Sequence, residues 1–85
     1  MRVSRSLLRS IFKAQADGGF HKSDKFYWRC ELMSSLIPYY LVLRYRITKS
    51  SPIPPRNMDC WEPVCELDFN KVYEIKRKYY KNDIH

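Results

Sequence analysis

Few side chains in this chain of 85 residues could do covalent or metal chemistry: Cys30, Cys60, Cys65, His21 and His85. An odd number of cysteines leaves at least one thiol free or paired outside the chain. Cys60 and Cys65 bracket Trp-Glu-Pro-Val and could form a disulfide in an oxidising compartment if their Cα atoms come within bridging distance; two inert thiols are the alternative. A zinc site wants four ligands at workable spacing, and both histidines lie far from the cysteine pair, so no metal is expected. Nucleophilic catalysis needs a cysteine or serine beside a histidine, and the only internal one, His21, sits in the polar connector "HKSDK". There is no GxGxxG, GxxxxGK, HExxH or CxxC, and the two glycines are adjacent. The expectation is a non-enzyme without a catalytic residue, cofactor or metal.

Without such a centre, the chain's role must lie in what it touches. A chain this short buries so little surface that a staple, a metal or a partner is expected to support it. Sixteen Lys and Arg against nine Asp and Glu give a net charge of +7, with a pI near 9.5 and a mean hydropathy of −0.56. Such a balance favours a polyanionic neighbour: RNA, an anionic lipid surface or an acidic protein face.

The amino-terminal "MRVSRSLLRSIFKAQ" carries the clearest periodicity. At about 100° per residue, Arg2, Arg5, Arg9 and Lys13 gather on one side of a helix and Val3, Leu7, Leu8 and Ile11 on the other. A basic amphipathic helix over 1–16 is expected, and its Arg- and Ser-rich composition without acid before Asp17 is that of a mitochondrial transit peptide. Its apolar stripe would rest on a membrane interface, on another subunit, or on the chain's own core. Asp17-Gly18-Gly19 ends the helix, and 17–25 is a connector.

The most apolar stretch is "CELMSSLIPYYLVLRYR". Its uncharged run, Leu32 to Leu43, would reach only about 18 Å as a helix, but Phe26 to Leu43 reaches about 27 Å, close to a thin bilayer's core. Tyr27 and Trp28 upstream, and Arg44, Tyr45 and Arg46 downstream, stand where interfacial anchors belong. A short membrane-spanning or membrane-inserted helix over 26–46 is the expectation. Glu31, Ser34, Ser35 and Pro38 would then turn toward protein neighbours, because a charge, two hydroxyls and a proline-freed carbonyl all need partners inside lipid. The competing reading is a buried helix, or two short strands around the proline, since "YYLVLRYRI" is rich in β-formers and alternates from Leu41 onward.

Residues 47–66 hold four of the five prolines and read as an extended strap, with Pro52, Pro54, Pro55 and Trp61 contacting a partner's surface or, for Trp61, a small packing cluster. From 67 to 85 a helix is expected, capped by Asp68 or Asn70, with Phe69, Val72, Tyr73, Lys76 and Tyr80 on one face and Glu74 paired to Lys78. "KRKYYK" adds cations and aromatics suited to phosphates and bases. The expected fold is thus mostly α, with no independent globular core.

In "YYLVLRYR" followed by "SPIPPR", the layout resembles small single-span accessory subunits of mitochondrial respiratory complexes. "IPYYLVLRYRITKSSPIPP" is similar in character to the span exit and strap of such subunits in the NADH dehydrogenase complex, and "YLVLRYRITK" to the exit of a short cytochrome c oxidase subunit. The resemblance implies a non-catalytic subunit in the mitochondrial inner membrane that stabilises or assembles a respiratory complex, with other subunits and anionic lipids as partners. The alternative is a small basic mitochondrial ribosomal protein, contacting rRNA through Arg2, Arg5, Arg9 and the carboxyl-terminal cations.

Overall fold

The computed structural model describes residues 3–49 and 54–79. Helix α1 spans Arg5–Ala16, strands β1 His21–Lys22, β2 Phe26–Met33, β3 Tyr39–Arg46 and β4 Glu62–Asp68, and helix α2 Phe69–Tyr79. The strands form one antiparallel sheet in the order β1-β2-β3-β4. The fold is therefore an antiparallel sheet with two helices, which corrects the mostly-α expectation. Of the four anticipated pieces, 26–46 departs most: it is a hairpin in which Phe26 opposes Arg46 and Met33 opposes Tyr39. No helix among the described residues is long and apolar enough to cross a membrane.

The reason lies in the turn. Pro38 and the residue before it are disfavoured in a helix interior, and Ser34 to Pro38 instead form the hairpin loop, where the Ser35 hydroxyl donates to the Ile37 carbonyl. The strand-forming "YYLVLRYR" then pairs along its full length with β2 on one side and, from Tyr39 to Arg44, with β4 on the other. Val64 is an extra residue in β4, between Pro63 opposite Leu43 and Cys65 opposite Val42. A bulge beside a proline that lacks an N–H suits the outermost strand.

Both helices pack on the sheet face carrying Trp28, Cys30 and Val42. Leu8, Ile11 and Phe12 of α1 and Val72 and Ile75 of α2 complete this core with Val3 and Leu67. Leu8, Ile11, Val42 and Val72 are fully buried. The α1 stripe thus rests on the chain's own sheet. Ser4 caps this helix, its hydroxyl accepting from the Leu7 N–H at 3.2 Å, and Gly18 at φ +86° turns the chain out of it. Asp68, the last residue of β4, stands directly before α2, and its carboxylate accepts from the Asn70 N–H at 2.7 Å.

The opposite face is covered by the proline-containing segment. Pro54 is buried, and Trp61, 3% exposed, packs its ring against Phe20 and Tyr45 at centroid distances of 5.1 and 5.6 Å. Its indole N–H donates to the Pro55 carbonyl. The strap therefore folds back on its own sheet between residues 54 and 61. Leu43, 1% exposed, belongs to this second, smaller core.

Candidate functional site

Antiparallel pairing brings cations from two separated segments, 22–25 and 44–49, to one end of the sheet. Cross-strand partners share a face, so Arg44 and Arg46 stand with Phe26 on one side, while Lys22 stands with Tyr27 and Tyr45 on the other. The Arg44 guanidinium lies 4.3 Å from the Phe26 ring centroid and that of Arg46 5.7 Å. Both are cation–π distances. Lys25 ends the β1–β2 turn, and its carbonyl accepts from the Ile47 N–H at 2.9 Å, which holds the start of β2 against the exit of β3. Ser23 fixes that turn: its hydroxyl donates to the Phe26 carbonyl and accepts from the indole N–H of Trp28 at 3.0 Å.

Two carboxylates, Asp24 and Glu62, share this end with five cations, counting Lys49 just beyond β3. Glu62 is committed to Arg44, whose Nε donates to it at 2.6 Å. That hydrogen bond holds the Glu62 carboxyl below the usual carboxylate range and raises Arg44 above its already high value. Lys22, Lys25, Arg46 and Lys49 remain exposed. The far end of the sheet differs in character. Its hairpin tip shows Leu36 fully exposed and Ile37 79% exposed, beside the acidic Glu66 and Asp68 of β4. A groove of about 490 Å³ runs there, lined among others by Ile37, Tyr39, Leu67 and Phe69.

The residues singled out from sequence are distributed as follows. Arg5, Arg9 and Lys13 lie exposed on the outer side of α1; Arg2 lies outside the described residues. Tyr27, Arg44 and Tyr45 are half-buried and Arg46 is exposed, at the basic end. Trp28 is 4% exposed and belongs to the core, so it cannot serve as an interfacial anchor. Glu31 is half-buried on the far face, where it pairs with Arg29 at 3.3 Å. Ser34, Ser35 and Pro38 form the hairpin loop and face no helix partner. Pro54 and Trp61 are buried against the sheet, Pro55 is exposed, and Pro52 lies outside the described residues, as do Tyr80 and Lys81. Cys60 and Cys65 are free thiols. Cys60 ends a 3₁₀ turn, Met58–Cys60, and Cys65 lies inside the extended β4. Extended backbone between two cysteines five positions apart carries their Cα atoms well beyond the roughly 7 Å limit for a bridge.

As sequence, Lys22 and Lys25 fall in a polar connector and Phe26 and Arg29 in the expected membrane helix, where they read as parts of a span and not as phosphate or base contacts. Their only pointer was the interleaving of cations with aromatics in "HKSDKFYWR". Among the described residues no group of three or more His, Cys, Asp or Glu side chains could hold a metal ion. Comparison with protein-family models, with curated proteins and with solved structures finds no match.

Proposed function

We propose that this chain is a non-catalytic binding module that contacts RNA through the basic end of its sheet. One observation carries the reading: the fold gathers Lys22, Lys25, Arg46 and Lys49, all exposed, around the half-buried rings of Phe26, Tyr27 and Tyr45. Exposed cations neutralise phosphates and release counterions, and neighbouring aromatic faces are platforms for unpaired bases. The outer row of α1, Arg5, Arg9 and Lys13, adds charge of the same sign. Small basic ribosomal proteins use this chemistry, and a mitochondrial ribosome remains the setting suggested by the composition of α1.

Fluorescence anisotropy with a labelled single-stranded RNA, run across a salt series, tests it. Replacing Lys22, Lys25 and Arg46 by Gln removes three contacts and should flatten the slope of log K against log salt by about 2. At 0.1 M salt the same relation predicts a loss of affinity of roughly a hundredfold. Equal slopes and affinities for the two proteins would refute this interface. The three side chains are exposed, so circular dichroism should show an unchanged fold.

A second reading, an accessory subunit of a larger protein assembly, is favoured by the apolar hairpin tip at Leu36 and Ile37. A respiratory complex is one such assembly. No helix among the described residues is long and apolar enough to cross the membrane of such a complex. Sedimentation separates the two readings: RNase should release the chain from its native particle if RNA holds it, and leave it in place if protein contacts do.

A further inference from the structure

We propose that the cleft between the α1–β1 turn and the far face of the sheet binds a phosphate group of a small ligand. The cleft has a volume of about 260 Å³ and is lined by Gln15, Gly18, Gly19, Phe20, Arg29, Glu31 and Arg56, a mostly polar wall. It is separate from the basic end of the sheet, and the proposal does not depend on the RNA reading.

Arg29 is the reason. It is the one buried charged residue among the described positions, 4% exposed, and it projects from the middle of β2, where its pleat neighbours Trp28 and Cys30 face the opposite core. The Trp61 ring covers its guanidinium at 4.9 Å. A guanidinium carries five N–H donors in a planar fork. Among the described residues its one ion pair is from Nη1 to Glu31 at 3.3 Å, and the buried Nε finds no acceptor there. That separation is long for a charge-assisted hydrogen bond, and the Glu31 side chain is 43% exposed. Buried donors without acceptors destabilise a fold unless something satisfies them. An arginine held in place by an aromatic ring, under-supplied with acceptors and opening on a polar cleft, is arranged to take oxygens from outside.

The charge count in the cleft agrees. Arg29 and Arg56 face one carboxylate, leaving a positive excess, and Arg56 is positioned by its own stacking over Phe20 at 5.6 Å. Glu31 can swing into water when a ligand takes its place on Arg29. Two guanidiniums suit a tetrahedral oxyanion, which offers acceptors to both forks at once. The cleft is roomier than a bare ion requires, so a phosphate ester fits its size. Gln15 closes the cleft on the helix side; its side-chain carbonyl already accepts from the Cys30 N–H, which fixes that wall.

The test is NMR on the full chain labelled with ¹⁵N, following the Arg29 Nε–H and the Gly18 and Gly19 amides. Inorganic phosphate and a nucleoside monophosphate are titrated in parallel, with sodium chloride at matched ionic strength as the control. Saturable shifts at these three positions with either phosphate, absent with chloride, are expected; stronger binding of the nucleotide would mark an ester as the ligand. Arg56→Ala, a change at an exposed position, should weaken binding about tenfold or more by removing one charged donor, and Glu31→Gln should strengthen it. Shifts that track ionic strength alone, or affinities indifferent to both substitutions, would overturn the proposal. Both variants leave Arg29 itself in place. Loss of phosphate binding with RNA binding intact would separate this site from the basic end.

Discussion

Cys30 provides a stability measurement that reads the helix-to-sheet packing directly. Its thiol is 5% exposed, stands opposite Val42 on β3 and lies under the helices, so burial pushes its pKa from 9.0 up to about 12. The charge of Lys76 opposes this shift, and Glu31 and Cys65 reinforce it. The unfolded chain releases the proton near pH 9 while the folded chain keeps it, so the folded state binds more protons over that window. Stability must therefore fall as pH rises above 9. Between pH 8 and pH 10 the loss attributable to this one thiol is on the order of 1 kcal/mol. Urea denaturation followed by tryptophan fluorescence at pH 8, 9 and 10 measures it, with Cys30→Ala as reference. Every other ionisable group is common to both proteins, so the difference between them isolates Cys30. The variant starts less stable because it leaves a small cavity, but its decline with pH should be shallower by that amount. Parallel declines would mean that Cys30 is not sealed between helices and sheet, and the packing described above would be wrong.

Native thiol labelling at pH 8 should modify the exposed Cys60 quickly, Cys65 more slowly, and Cys30 only on unfolding; rapid labelling of all three would contradict the burial order. Leu8→Ala and Ile11→Ala should each lower stability by about 2–5 kcal/mol, measured by chemical denaturation, because α1 is part of the core. Ser4→Ala should lower it by about 1 kcal/mol through loss of the helix cap, whereas Ser4→Asp should not. Glu62→Gln should leave the denaturation midpoint unchanged, since the pair with Arg44 is exposed and screened.

Where periodicity was strong, the sequence was legible. The apolar side of α1 named from spacing, Val3, Leu7, Leu8 and Ile11, is the side that meets the core. Of the two caps offered for the last helix, Asp68 and Asn70, Asp68 is the one whose carboxylate accepts a backbone N–H, that of Asn70. The buried side of α2 is rotated from the expected one, however: Val72 and Ile75 are buried while Phe69 and Tyr73 are exposed. Counting aromatics as core placed the stripe one position off, and the aliphatic pair decides it. The stretch from Phe26 to Arg46 misled for a related reason. Trp28, Arg29 and Cys30 are buried in succession, because helices cover one face of β2 and Trp61 the other. A strand covered on both faces loses the alternation that marks a half-exposed one, and reads as a continuous apolar run. The exposed Leu36 and Ile37 at the hairpin tip extended that run and gave it the length of a membrane segment.

By itself, then, the sequence determined the charge surplus, the amphipathic first helix, the breaks at Gly18-Gly19 and the prolines, and the strand-forming bias of "YYLVLRYR". Those are local properties, set by side-chain spacing and backbone freedom within a few residues. Only the tertiary structure decided that Lys22, Phe26 and Arg46 share one end of a sheet, and that Arg29 stacks on Trp61, thirty-two residues away in the chain. Register and the return of the strap couple segments far apart in sequence, and no local periodicity encodes that pairing.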